Sequence, residues 1–156
     1  MEPFVAFKYL HVVSMFFAVA LAVSTELVIR RVAASGDART IRAVVPRIRP
    51  LGNVATLLFV AGVVFGIVAA LTGQMNLVAP WLLLAYAAFV CATLIGMLVT
   101  DPWAGRLEAA AVASPEDAAS DALNSVIADP VARAGTWALM LLIAALVFLM
   151  VVKPFA

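Results

Sequence analysis

Little of this chain is charged. Asp, Glu, Lys and Arg make up 12% of its 156 residues, against about 25% in an ordinary soluble domain. Histidine and cysteine occur once each, as His11 and Cys91. A single cysteine excludes an internal disulfide and leaves the redox compartment unread. A single histidine excludes bis-histidine ligation within one chain, and no Cys/His metal motif is present. A Gly-rich phosphate loop, a serine–histidine–acid constellation and strand-like alternation are missing as well. Ser14 lies near His11, but no acid at the same depth could orient the ring.

What fills the chain instead is apolar, at 66% of residues. Four hydrophobic segments cover about 5–29, 51–71, 77–100 and 131–152. Each is longer than an ordinary buried strand, and about 20 apolar residues suffice to cross a bilayer as a helix. Backbone groups in lipid must be satisfied within the segment, which leaves helices. The sequence therefore predicts an all-α integral membrane four-helix bundle, one domain over 1–156, with connections at 30–50 and 101–130. A signal peptide competes for the first segment, because Ala18-Val19-Ala20 resembles a cleavage site. Glu2 at the start, the lack of a basic cluster before the span and the arginines after it favour a retained helix.

The charges are segregated by sign. Arg30, Arg31, Arg39, Arg42, Arg47 and Arg49 fall in the first connection, Arg106 and Arg133 in the third, and only Lys8 and Lys153 near the ends. Basic residues concentrate on the cytoplasmic side, so both termini are expected outside a bacterial inner (plasma) membrane, with 30–50 and 101–130 inside. The third connection is otherwise acidic. Ser114 followed by Pro115 and acids predicts the start of a short amphipathic helix with Ala119, Ala122, Leu123 and Val126 on one face. An acidic helix is a poor match for an anionic leaflet, so it is expected to fold against the arginine-rich first connection. Asp129-Pro130 repeats the cap-plus-proline signal before the fourth span. The arginines of "RTIRAVVPRIRP" are interleaved with Ile and Val rather than stacking aromatics, which argues against nucleic acid.

Helical spacing sorts the polar residues. His11, Ser14, Ala18, Ala22 and Thr25 share a small-and-polar stripe on the first span, the kind of face that lets membrane helices pack closely. Gly52, Thr56, Gly62 and Gly66 share a face of the second, where "GVVFG" matches GxxxG. Lys8, His11, Gln74, Asn76, Met75 and Met150 fall near one surface, and Thr25, Glu26, Asn53 and Thr56 near the other. Glu26 lies about 22 Å from His11 along the helix, too far for one site. Four residues before Arg30, it is placed for an i,i+4 ion pair.

"FKYLHVVSMFFAVALAVSTELVIRR" and the ending "LVFLMVVKPFA" resemble the first and last helices of an uncharacterised family of small four-helix bacterial integral membrane proteins. More distantly, the chain is similar to the four-helix haem-binding protoporphyrinogen oxidase and to copper-resistance-type membrane domains. In the oxidase family a first-helix histidine and a third-helix lysine matter. His11 matches the first, whereas "WLLLAYAAFVCATLIGMLVT" contains no lysine. The resemblance thus implies a His11 haem site rather than the oxidase chemistry.

Two readings follow. The first is a non-catalytic helix-bundle protein in the lipid bilayer, packed through its small-residue faces and associated with itself or a larger membrane complex. The alternative is a haem-binding or redox protein with His11 as axial ligand to haem b and Met150 as a second candidate ligand. Transport ranks last, because no charge falls at mid-membrane.

Overall fold

The computed structural model describes residues 2–115 and 119–154. Every element among them is helical: α1 (Pro3–Ala34), α2 (Ala38–Thr72), α3 (Pro80–Ile95), a π-helical segment (Gly96–Thr100), α4 (Asp101–Ala113), α5 (Asp121–Ile127) and α6 (Pro130–Val152). Four stretches are long and apolar enough to cross a membrane: Pro3–Ala34, Ala38–Thr72, Pro80–Ala113 and Asp121–Val152. The chain is a multi-pass membrane protein by that measure.

The helices outrun the apolar segments. With 32 and 35 residues, α1 and α2 are about 48 and 52 Å long, well beyond the ~30 Å hydrocarbon core of a bilayer. Residues 30–50, expected as a connection, are therefore helical except for the turn at Ser35, Gly36 and Asp37. Hydropathy reports where lipid stops, not where a helix does, and Ala and Arg are strong helix formers. Gly36 takes the left-handed conformation, φ +68°, that lets the chain leave α1 without a Cβ clash. Asp37 caps α2 by accepting from the Arg39 amide at 3.0 Å and from the Thr40 hydroxyl. Pro46 and Pro50 lie inside α2, which continues through both.

The start of the third connection is likewise helical. The π segment ends with the Asp101 N–H reaching back to the Gly96 carbonyl, and α4 follows directly. The wider register comes just ahead of Pro102, which has no N–H for an ordinary bond. Ser114, expected to open the amphipathic helix, instead terminates α4, its hydroxyl donating to Ala110 O at 2.9 Å. The cap belongs to Ser120, which accepts from the Leu123 amide at 3.2 Å and opens α5. The two serines carry the same local signal, and α4 arriving at Ser114 decides between them. Glu116, Asp117 and Ala118 lie outside the described residues. Asp129 caps α6 through the amides of Val131 and Ala132, with Pro130 at the first helical position.

Packing divides the molecule into two hairpins. α1 lies along α2, and α3 along α6; α4 then crosses onto α2. The tightest core is not among the apolar spans. It lies at the end that holds the α1–α2 turn, where Ile29, Ala33, Ile41, Val45, Trp103, Leu107, Leu123 and Ala132 form one buried cluster. Within the spans only 17–22% of each apolar window is buried inside the protein, which leaves large side chains such as Phe16, Leu57 and Leu98 facing outward. All eight arginines sit at or next to the compact end, here termed the basic end, and both lysines at the other.

Thr40's hydroxyl at Asp37 and the Ala132 amide at Asp129 hold both carboxyls below their ordinary range. The stability from these caps is present above the unfolded carboxylate pKa and is lost as pH falls through the lowered values. Leu123 is fully buried and Leu98 is 70% exposed. Leu123→Ala is expected to cost about 2–5 kcal/mol and Leu98→Ala little, measured by denaturation in detergent micelles.

Candidate functional site

Two places gather chemistry-bearing side chains. The first is at the basic end, where α1, α4, α5 and α6 converge. Arg30 Nε donates to Glu26 Oε1 at 3.2 Å, the i,i+4 pair on α1. The same carboxylate oxygen lies 2.5 Å from the hydroxyl of Thr136 on α6. Arg30 Nη2 donates to the Ala132 carbonyl at 2.5 Å, and its guanidinium carbon lies 3.6 Å from the centre of the Trp103 ring. Trp103, fully buried, donates its indole N–H to Val126 O at 2.8 Å. The side chains of Glu26 and Arg30 are only 11% and 19% exposed. Removing one member of such a pair leaves the other charge buried, a loss of about 3–5 kcal/mol.

Further arginines join the two connections. Arg49 bridges Asp101 and Glu108, each at 3.1 Å. Arg42 Nε donates to Ala111 O at 2.6 Å, and Nη2 to Ser114 O, so a cation occupies the carbonyl end of α4. Arg106 pairs with Asp129 at 2.8 Å. The structure thus brings the acidic connection onto the arginine-rich one.

The second place is the His11 face. His11 Nδ1 lies 2.7 Å from the carbonyl oxygen of Gly62. A carbonyl can only accept, so Nδ1 carries the proton and Nε2 the lone pair. Gly66 makes the approach possible: a Cβ there would stand 2.7 Å from His11 Nδ1. A Cβ on Gly62 would meet Met15 at 3.0 Å. The "GVVFG" glycines are therefore the slot for His11 and Met15. Further along the α1 stripe Ala18 is fully buried, while Ser14, Ala22 and Thr25 are half-buried. Met150 is half-buried on α6, whose close neighbour along its length is α3.

Several of these groups have no counterpart among the residues singled out by spacing. Thr136 and Trp103 stand at the edges of apolar runs and pair with residues far away in the chain. Arg49, Asp101 and Glu108 read separately as topology signals. The opposite charges of the two connections were the one usable signal. No metal-ligating group of three His, Cys, Asp or Glu occurs among the described residues.

Compared with protein-family models, with curated proteins and with solved structures, the chain finds no match in any of the three. The argument for function rests on the geometry alone.

Gly66→Ala is expected to displace the His11 ring and destabilise the α1–α2 hairpin by about 1–3 kcal/mol. Gly62→Ala should change stability by less than about 1 kcal/mol, because the flexible Met15 thioether can move aside. Nitrogen chemical shifts of His11, which report the tautomer, together with denaturation midpoints, check both outcomes.

Proposed function

We propose that this chain is a non-catalytic four-span protein of a bacterial inner membrane, a helix-bundle component that associates with itself or with a larger membrane complex. One observation carries the reading: its ionisable side chains serve as ties between helices. Glu26 and Arg30 bind Thr136 and Ala132, Arg49 binds Asp101 and Glu108, Arg106 binds Asp129, and His11 binds Gly62. The small-residue slot on α2 and the resemblance to small four-helix membrane proteins support the same reading. Arginines gathered at one end favour that end in the cytoplasm, with both termini outside. Mass measurement of the protein in nanodiscs is expected to show an oligomer or a co-purifying partner. A solitary monomer would overturn the proposal.

A second reading has its own observation. Donation of Nδ1–H to Gly62 leaves His11 Nε2 as the basic nitrogen, and that pattern, a second-shell carbonyl setting the tautomer, suits an axial ligand. Nε2 is not among the fully buried atoms that lack a partner. These residues fit one axial bond to haem b, which would supply electron-transfer chemistry when bound. A His11/Met150 pair within one chain has less support, because α6 packs on α3. Protein purified from haem-replete cells is expected to show a Soret band that shifts or vanishes in His11→Ala. Absence of the band in the unaltered protein sinks this reading and leaves the first standing.

A further inference from the structure

A cleft of about 320 Å³ opens at the basic end between α2 and α4, lined by Pro46, Arg49, Pro50, Asn53, Asp101 and Glu108. Its place along the helices is informative. Arg49 is the last charged residue of α2, and no charge follows it before the turn at Gly73. Asp101 is the first charged residue after the start of α3 at Pro80. The cleft therefore straddles the level where charged helix ends give way to apolar spans.

Its chemistry favours a compact monocation. One guanidinium faces two carboxylates, so the lining carries one net negative charge. Arg49 engages Oδ1 of Asp101 and Oε2 of Glu108, and the second oxygen of each carboxylate remains available. Pro46 supplies a third acceptor. The residue four positions on is Pro50, which has no N–H, so the Pro46 carbonyl lacks its usual helical partner. A primary ammonium carries three N–H donors and no acceptor, matching these three oxygens. Asn53, exposed one turn further along α2, offers an amide donor on the side where an adjoining phosphate would lie. Beyond it, Leu57 is 68% exposed and Leu98 70%, an apolar surface suited to acyl chains.

We infer that this cleft binds the phosphoethanolamine headgroup of a bilayer lipid, its ammonium held by Asp101, Glu108 and the Pro46 carbonyl. The inference rests on the reading that these helices cross a membrane. Choline, with no N–H, cannot make these bonds, and a headgroup with net negative charge meets the uncompensated carboxylate.

The experiment is native mass spectrometry of the full chain from vesicles holding equal amounts of phosphatidylethanolamine, its N-methylated derivatives, phosphatidylcholine and phosphatidylglycerol. Resistance of the vesicle-bound chain to alkaline carbonate extraction tests the membrane reading separately. Retention is expected to fall stepwise with each N–H replaced by methyl, reaching about tenfold between phosphatidylethanolamine and phosphatidylcholine. Asp101→Asn with Glu108→Gln should flatten the series, and Asn53→Leu, which leaves the Arg49 pairs intact, should weaken it. Equal retention across the series, or a preference for phosphatidylglycerol, overturns the inference. Displacement of the lipid by millimolar ethanolamine alone would identify a soluble amine as the occupant and overturn it also.

Discussion

Arg30 is the point at which this fold is joined. Its guanidinium stacks on Trp103 from α4, bonds Glu26 within α1 and reaches the first turn of α6 at Ala132. A planar cation with five donors can serve three directions at once, which an ammonium on a flexible stem cannot do in fixed geometry. Once Arg30 is held, the positions of Thr136 and the indole of Trp103 follow, and α5 is drawn in through Val126. In hydrocarbon there is no hydrophobic drive between helices to do this work. The two hairpins accordingly come together where water-facing helix ends can bury a core of ordinary kind.

That division explains the uneven packing. Along α1 and α2, glycine and alanine allow the backbones to approach, and the contact is set by van der Waals fit around His11 and Met15. Elsewhere in the spans bulky side chains point outward, which costs nothing against lipid. At the basic end the same side chains would face water, and there they are buried. Arg42, Arg49 and Arg106 then satisfy carbonyls and carboxylates that would otherwise strain the close approach of α2, α4 and α6.

Much of this was legible in the chain. Long apolar segments declare four helices whatever the tertiary details, because lipid tolerates little else. The stripe through His11 and the glycines of "GVVFG" could each be read from 3.6-residue spacing. Their meeting is the kind of contact small faces permit. Glu26 with Arg30 followed from i,i+4 geometry. Thr136 as the third partner did not, since a lone threonine at the edge of an apolar run announces nothing and its acceptor lies 110 residues away. The reach of α1 and α2 beyond the apolar segments was hidden too, because hydropathy is blind to helix that continues in water. Ser114 and Ser120 show the limit of a local cap signal: two sites qualified, and only the preceding helix chose.

The π segment at Gly96–Thr100 separates two evolutionary regimes. One extra residue in the turn offsets the phase of everything after it by about 100°, and that offset is built into the directions Asp101, Trp103 and Leu107 take from the helix. Before the segment, one apolar residue can drift into another with lipid as an indifferent neighbour. After it, each position answers to a particular arginine or a particular hollow. Relatives of this chain would then diverge freely along α3 while keeping the length of this one turn unchanged.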